Sequence, residues 1–259
     1  MSHPDSLPSA LSIVTGASRG LGRALAALLL VRGHRVLTLQ RQPDPGLDPG
    51  DGRLEQWACD LAAPEAAAAR LEAWLGSVRA QYAAAPTLPL NLINNAAGLS
   101  QLAPVEDWSA EQMARDVRLG LEAPLLLSAV FLRATAGWPA PRKLLHISSG
   151  LGRRAMAGST VYCAVKAGLD HMSRAIALEQ AERPLGARSV SLAPGVIDTD
   201  MQLQLRSADP KVFAAQAQFE ALKARGQLDT PQACALKLLN YLDRPDFGSQ
   251  PVADVRDAA

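Results

Sequence analysis

The chain has 259 residues, of which 48% are hydrophobic, and this length and composition predict one α/β domain with a large core. The formal net charge is +1 without any block of like charges, so the composition favours neither nucleic acid nor a membrane surface as a partner. No uncharged apolar run approaches the roughly 18 residues that a membrane-spanning helix needs, so no transmembrane segment is expected.

The amino terminus and the cysteines exclude further classes of protein. Residues 1–9 are polar, contain two prolines and lack the apolar core of a signal peptide, so they are predicted to be a short disordered lead. Cys59, Cys163 and Cys234 are far apart and odd in number, which indicates neither a disulfide framework nor a zinc site. We therefore expect no metal and a cytoplasmic location.

Short apolar runs alternate with helical patterns along the chain. Strands are predicted at residues 11–14, 35–40, 54–59, 88–93, 143–148 and 189–193, and helices at residues 19–31, 64–82 and 160–182. One or two further helices are predicted within residues 105–135, interrupted near Pro124. This alternation predicts a single domain over residues 10–259, with a doubly wound parallel sheet of about seven strands covered by helices on both faces. Ligands of such sheets bind at the carboxyl ends of the strands.

A glycine-rich turn with the sequence TGASRGLG, residues 15–22, follows the first strand and opens the first helix. Its glycines permit a tight turn and a close approach of the backbone to a pyrophosphate, and the helix amino terminus then faces the anion. Such turns also occur in ordinary loops, but the position between the first strand and the first helix favours dinucleotide binding. The predicted contacts are Gly16, Ser18, Arg19, Gly20, Leu21 and Gly22.

The end of the second strand indicates which dinucleotide binds. An NAD site usually carries an acidic residue there, whereas this chain has Gln40 followed by Arg41. Arg19 also projects from the glycine-rich turn, and two guanidinium groups can hold a 2′-phosphate. We predict NADP(H) over NAD(H); the alternative is that Arg41 is a solvated loop residue.

Two later strand ends supply further cofactor candidates. Asp60 follows the third strand and could bond the adenine amino group or cap the helix that begins near Pro64. The run NNAAG at residues 94–98 follows the fourth strand, and its small residues let the backbone pass close to a ribose, while its asparagines are expected to tie strands together. The predicted contacts are Asp60, Leu61, Asn95, Ala96 and Ala97.

Tyr162 and Lys166 lie four residues apart, on one face of a predicted helix. An ammonium near a phenol lowers the pKa of the phenol from about 10 and makes it a usable acid near neutral pH. Ser149, at the end of the fifth strand, could donate a second hydroxyl to the same oxygen. Although tyrosine and lysine at this spacing are often surface neighbours, the adjacent dinucleotide site favours a Ser149–Tyr162–Lys166 centre for proton transfer at a carbonyl or alcohol.

Taken in this order, and with the run PGVIDT at residues 194–199, these motifs resemble the short-chain dehydrogenase/reductase family over nearly the whole chain. The resemblance implies that Tyr162 gives a proton to the substrate oxygen while hydride arrives from the nicotinamide. It implies that Lys166 also bonds the nicotinamide ribose and that Ser149 bonds the substrate carbonyl. The segment that it implies around the nicotinamide carboxamide comprises Pro194, Gly195, Val196, Ile197 and Thr199.

Residues 193–202 and 222–228 and the Tyr162–Cys163 pair resemble a narrower group, the sepiapterin reductases and bacterial dicarbonyl reductases of the benzil type. This resemblance implies an NADPH-dependent reductase for a small carbonyl compound, either a pterin side chain or a dicarbonyl. It also implies that Asp254 anchors a pterin ring; the alternative is a frayed terminal aspartate. Another short-chain alcohol dehydrogenase or ketoreductase, or a catalytically impaired NADP-binding sensor, are the competing interpretations.

The chain departs from the family at one position. Where the family carries a proton-relay asparagine, the alignment places Gly120, with Arg118 as the nearby polar alternative. We expect an impaired relay, which Gly120→Asn would repair with a rise in turnover.

The substrate side is less well defined by the sequence. Helical periodicity within residues 208–225, interrupted by Pro210, indicates a lid over residues 200–227. The predicted substrate contacts are Ser149, Leu151, Met156, Met201 and Asp254. Family analogy also predicts a homodimer or homotetramer, formed through the helices that begin near Glu111 and Thr160.

Overall fold

The computed structural model describes residues 7–82 and 88–257. Its strands are β1 (Leu11–Thr15), β2 (Arg35–Gln40), β3 (Leu54–Ala58), β4 (Leu90–Asn94), β5 (Arg142–Ile147), β6 (Arg188–Ala193) and β7 (Val252–Asp254). They form one parallel sheet in the order β3-β2-β1-β4-β5-β6-β7, which confirms the predicted doubly wound sheet. The strand order reverses between β1 and β4, where diverging loops leave a crevice at the carboxyl ends of the strands.

Helices cover both faces of this sheet. In the described residues they are α1 (Gly20–Val31), α2 (Glu65–Gln81), α3 (Ala110–Val117), α4 (Ala123–Ala134), α5 (Thr160–Ala181), α6 (Asp200–Arg206), α7 (Gln216–Ala224) and α8 (Pro231–Leu242). Alternate strand residues enter two cores, one with α1 and α8 and the other with α2 and α4. All residues of β1 and β4 are buried, as expected for central parallel strands covered on both faces.

The interruption of the central helix that was predicted near Pro124 lies a few residues earlier. Pro124 lies in the first turn of α4, where its missing N–H costs nothing. The irregularity comes earlier, at a π-helical turn over Arg118–Glu122 that joins α3 to α4. Gly120 is buried in this turn against Val165, so the π-helical turn packs directly on α5.

The segment predicted as a lid contains two helices, α6 and α7. The periodicity predicted that residues 208–215 are also helical, but in the structure they form a non-helical connection. Phe213 is fully buried in this connection and stacks on Phe219 at 5.8 Å between ring centroids. The apolar residues that suggested a continuous helix therefore pack the two helices together.

The beginning of the chain differs in part from the predicted disordered lead. Residues 1–6 lie outside the described residues, but the Ser9 amide donates to the Gly33 carbonyl and its hydroxyl to the Arg32 carbonyl. The division into one domain over residues 10–259 stays a prediction. Within the described ranges, no helix is long and apolar enough to cross a membrane.

Candidate active site

A cleft of about 590 Å³ lies at the carboxyl ends of the strands. Most of the residues predicted from the glycine-rich turn, the strand ends and the Tyr–Lys pair meet there, although they come from distant parts of the sequence. Those that line the cleft are Gly16, Ser18, Arg19, Gly20, Leu21, Gly22, Arg41, Asp60, Leu61, Asn95, Ala96, Ala97, Tyr162, Lys166, Pro194, Ile197, Thr199 and Met201.

Other predicted residues do not line this cleft. They are Ser149, Leu151, Met156, Gly195, Val196 and Asp254. Ser149 lies directly beside it, since its neighbour Ser148 is part of the wall, and its hydroxyl accepts a hydrogen bond from the Leu151 amide.

The glycine-rich turn is packed too tightly for any side chain at two of its positions. A Cβ atom on Gly22 would lie 2.1 Å from the Gly16 carbonyl oxygen, and one on Gly16, whose φ is +70°, would lie 2.9 Å from Ala96 Cα. Arg19, the N-cap of α1, makes no side-chain capping bond, and the first turn of the helix carries no acidic residue. Amide donors at this helix end therefore fit the pyrophosphate of a dinucleotide.

Thr15 and the asparagines that follow β4 hold the floor of the cleft in place. The Thr15 hydroxyl accepts from the Asn95 and Ala96 amides, each at 2.9 Å, and the Asn95 side chain donates to the Thr15 carbonyl. Asn94 bonds His146 on β5. These asparagines tie neighbouring strands together, as the sequence indicated.

Two arginines, Arg41 and Arg115, line the cleft near the ends of β2 and β3. Gln40 is buried and donates to Gln56, whereas Arg41 is exposed and makes no ion pair within the described part of the chain. Asp60 accepts from the Ala62 amide at 3.0 Å and from Arg115 at 2.9 Å. It thus caps its own turn and does not cap α2, whose N-cap is Pro64.

Sequence reasoning missed two ion pairs at this cleft. Arg115 reaches Asp60 from α3, and Arg19 contacts Asp200 at 2.7 Å, linking the glycine-rich turn to the first residue of α6. In the second pair the two side chains are 71% and 67% exposed, so the pair contributes little to stability. No local motif marks either contact, because the partners are far apart in sequence.

The loop after β4 is held by two further contacts that carried no sequence signal. Asp116 of α3 accepts from the Ser100 amide at 3.0 Å and from the Ser100 hydroxyl at 2.5 Å. Gln204 of α6 donates to the Leu99 carbonyl at 2.8 Å. All four residues line the cleft, so α6 and this loop together form its outer wall.

The pKa of Tyr162 is raised, not lowered as its spacing from Lys166 had suggested. Lys166 Nζ donates to the Ile147 carbonyl at 2.7 Å and lies 5.5 Å from the centre of the Tyr162 ring. Burial raises the pKa of Tyr162 to about 12, with partial opposition from a hydrogen bond to Ser149, although Tyr162 also lines the cleft. Burial also lowers the pKa of Lys166 to about 8. At neutral pH the phenol therefore holds its proton and can donate it.

His146 is a core residue with no place in this chemistry. It is fully buried, bonds Asn94 and Ser189, and burial lowers its pKa to about 3. Its imidazole is therefore neutral at physiological pH.

Asp254 does not offer the free carboxylate that a pterin anchor requires. It ends β7 beside Ala193, and its two oxygens accept from Arg256 at 2.8 and 2.6 Å. This guanidinium holds the pKa of the carboxyl below its ordinary value. Leu151 and Met156 likewise lie away from the cleft wall, so the structure leaves Met201 as the predicted apolar contact there.

The packing around Gly120 argues against the expected benefit of Gly120→Asn. A Cβ atom on Gly120 would lie 2.5 Å from Val165 Cγ1, and Val165 is itself buried. Arg118, the polar alternative, is largely exposed and lies 3.8 Å from Glu122. Gly120 is therefore a position of close helix packing, and an asparagine there would collide with α5.

The fold and this cleft define an enzyme with a dinucleotide site at the switch point of a doubly wound sheet. The chain matches the family of short chain dehydrogenases over residues 11–210 and belongs to that family. It is therefore an oxidoreductase of a family that uses a nicotinamide cofactor.

Individual relatives resemble most of its length. The chain is 34% identical to a benzil reductase ((S)-benzoin forming) of Bacillus subtilis, over 90% of this chain and 93% of that protein. It is 32% identical to the sepiapterin reductase of Mus musculus, over 98% and 99% of the two chains. The crystal structure of a short-chain dehydrogenase/reductase from Burkholderia vietnamiensis is 35% identical, with a TM-score of 0.64, and covers 98% of this chain and 100% of that one.

Proposed function

We propose that this protein is an NADPH-dependent reductase that converts one carbonyl of an uncharged dicarbonyl compound to an alcohol. The observation that carries the proposal is the placement of Tyr162 and Lys166 in the wall of the cleft that also contains the glycine-rich turn. A proton donor and a dinucleotide site then open onto one space, which is what carbonyl reduction by hydride transfer requires.

The residues of the cleft fit a dinucleotide with a 2′-phosphate. The tight glycine packing and the uncapped amino end of α1 suit the pyrophosphate. At the end of β2 there is no carboxylate to bond a ribose diol, and Arg41 lines the cleft together with Arg19, whose pair with Asp200 is exposed. Two guanidinium groups favour a phosphate over a hydroxyl at this place.

The chain's own residues supply the proton and stabilise the developing charge. NADPH, when bound, supplies the hydride. Tyr162 donates its phenolic proton to the substrate oxygen, and the Ser149 hydroxyl donates a hydrogen bond to that oxygen. Because the pKa of Tyr162 is raised to about 12, the phenol is fully protonated at neutral pH and suited to reduction. The Lys166 ammonium then stabilises the phenolate that the proton transfer leaves.

The substrate side favours a neutral dicarbonyl over a pterin. Leu99, Leu119 and Met201 give the cleft an apolar wall, which suits aromatic or alkyl groups. A pterin's amino-pyrimidine would need a free acceptor, whereas Asp254 is bonded to Arg256 outside the cleft wall. The 34% identity to a benzil reductase supports the same choice.

The interpretation as an impaired sensor loses its support. It rested on Gly120 as a lost relay residue, but the contact with Val165 gives this glycine a packing role. Ser149, Tyr162 and Lys166 are all present.

The test is NADPH oxidation with benzil, sepiapterin and a simple ketone as substrates. We expect turnover to be highest with benzil and to fall at least 100-fold in Tyr162→Phe, since general acid catalysis contributes about 10²–10⁴-fold. Tyr82→Phe is the matched control, because Tyr82 bonds Arg35 away from the cleft and should keep full turnover. Full turnover in Tyr162→Phe would refute the mechanism, and a preference for sepiapterin would refute the substrate class.

The cofactor choice has a separate test, the dissociation constants of NADPH and NADH measured by fluorescence. Charge-assisted hydrogen bonds contribute about 1.5–3 kcal/mol, so Arg41→Ala should weaken NADPH binding roughly 10- to 100-fold and leave NADH binding unchanged. Arg174→Ala, at an exposed position on α5, is the matched control. Tighter binding of NADH than of NADPH in the unaltered protein would contradict the proposal.

We also propose a homodimer or homotetramer in a reducing cytoplasm. Leu125 of α4 and Leu178 of α5 are 46% and 73% exposed, and apolar side chains of this size favour a partner surface. Cys59, Cys163 and Cys234 are free thiols, which suits a reducing compartment. Sedimentation equilibrium would contradict the assembly if it gave a monomer at micromolar concentration, and recovery in an oxidising compartment would contradict the location.

A further inference from the structure

A buried carboxylate lies directly behind the proton-transfer centre. Asp170 is 2% exposed and sits one helical turn after Lys166 on α5. Its Oδ1 accepts from the Ser148 hydroxyl at 2.5 Å and from the Ser191 hydroxyl at 2.7 Å. One carboxylate oxygen therefore joins the end of β5, where Ser149 follows, to β6.

The other carboxylate oxygen supports the turn that begins at Ser149. A Cβ atom on Gly152 would lie 2.8 Å from Asp170 Oδ2 and 2.9 Å from the Lys166 carbonyl oxygen, so the turn rests on this part of α5. Arg153 Nε, from the same turn, lies 3.4 Å from Oδ2. Asp170 thus touches all the backbone segments that carry the proton-transfer residues.

The hydrogen bonds of Asp170 do not by themselves explain why a carboxylate is buried at this position. Oδ2 is buried and has no hydrogen-bond partner among residues 7–82 and 88–257, which is costly for a carboxylate. The positive charges nearest to this carboxylate are those of Arg153, in the turn after Ser149, and of Lys166, one helical turn earlier on α5. Lys166 in turn makes no ion pair in the same ranges and donates to a neutral carbonyl.

We propose that Asp170 is a positioning residue of the active site: its carboxylate fixes the turn that bears Ser149, and its negative charge keeps Lys166 an ammonium. The role rests on the proposed function, because it serves the reduction at Tyr162. The charged and titratable groups around Lys166 and Asp170 are Tyr162 on α5, His146 on β5 and Arg153 in the turn. His146 is neutral, Asp170 opposes the lowering effect of burial on the pKa of Lys166, and Arg153 partly neutralises the charge of Asp170.

The two neighbours of Lys166 provide a pair of tests with opposite signs. Asp170→Asn keeps the shape of the side chain and an acceptor for the serines but removes the charge. The midpoint of the Lys166 amine titration, called the midpoint below, should therefore fall by about one pH unit from about 8. Arg153→Gln leaves the negative charge less neutralised, so the midpoint should rise. Ser191→Ala removes one bond to Oδ1 without changing charge and should lower the melting temperature while leaving the midpoint in place.

The midpoint can be read without turnover, from the ¹⁵N signal of the lysine amines in each variant. The chain has five lysines, so Lys166 can be assigned by comparison with Lys166→Arg. With benzil and NADPH, a midpoint that falls from about 8 to about 7 predicts a roughly tenfold loss of kcat between pH 6 and pH 8 in Asp170→Asn, against about twofold in the unaltered protein.

Opposite shifts of the midpoint in the two charge variants would support the proposal. An unchanged midpoint in Asp170→Asn would overturn the proposal. An unchanged or lowered midpoint in Arg153→Gln would also overturn it, and this second variant can be measured even if Asp170→Asn does not fold. If the unaltered protein does not reduce benzil, the proposed function is contradicted, but the effect of Asp170 on the charge of Lys166 is still tested by the titration.

Discussion

Gly120 gives the sharpest test of how the central helix packs. A Cβ atom there would lie 2.5 Å from Val165 Cγ1, about 1 Å inside a favourable carbon–carbon contact. Overpacking of this kind costs about 1–3 kcal/mol, while the intrinsic preference for alanine over glycine in a helix returns up to about 1 kcal/mol. We expect Gly120→Ala to destabilise the protein by about 1–2 kcal/mol. Asparagine, being larger, should destabilise it more.

Urea unfolding of a double-mutant cycle measures the contact itself. Val165→Ala alone should be destabilising because it leaves a cavity, but it removes the atom that collides with the new Cβ. The double variant should therefore be about 1–2 kcal/mol more stable than the sum of the single variants predicts. Gly76→Ala is the matched control, since a Cβ there meets nothing within 4 Å and should stabilise α2 by up to about 1 kcal/mol.

Two results would refute this reasoning. One is a Gly120→Ala variant as stable as the unaltered protein, and the other is a coupling energy with Val165 below about 0.5 kcal/mol, the usual scatter for independent sites. In either case the π-helical turn and α5 would have room between them, and an asparagine at residue 120 would again be a reasonable relay variant.

Three further predictions concern the cleft and the core. Gly22→Ala should abolish NADPH binding in a fluorescence titration, because its Cβ would lie 2.1 Å from the Gly16 carbonyl oxygen; tight binding by this variant would contradict the packing. With its pKa lowered to about 3, His146 binds a proton in the unfolded state below pH 6.5 but not in the native state until about pH 3. Stability in urea should thus fall by up to about 1.4 kcal/mol per pH unit across this window, and His146→Asn should flatten that slope; an unchanged slope would refute the assignment. Arg115→Ala breaks an exposed pair with Asp60, so the unfolding free energy should change by less than about 1 kcal/mol, while a larger loss would show a structural role.

The sequence was informative wherever the physical cause is local. Central parallel strands are predominantly apolar because both faces are covered, so the strands and the order of the motifs could be predicted before any contact was known. The glycine-rich turn identified its own site, because the shape of that turn depends on neighbouring residues. Gln40 and Arg41 could be assigned to the end of β2 for the same reason.

The sign of the Tyr162 pKa shift was decided by the tertiary structure. The spacing from Lys166 suggested a lowered value, but the packing of α5 leaves Tyr162 partly buried, buries Lys166 and turns its amine toward the Ile147 carbonyl. Burial disfavours a phenolate and an ammonium alike, and how deeply a side chain is buried depends on every element packed around it.

What the sequence by itself determined is the family, the sheet and the residues proposed for proton transfer, since each of these follows from short patterns and their order. What only the tertiary structure decided is which side chains are already engaged. Arg256 donates hydrogen bonds to the Asp254 carboxylate, and the Val165 side chain fills the space beside Gly120. Such contacts depend on the distances and angles between packed elements, and these are fixed only when the whole core is assembled.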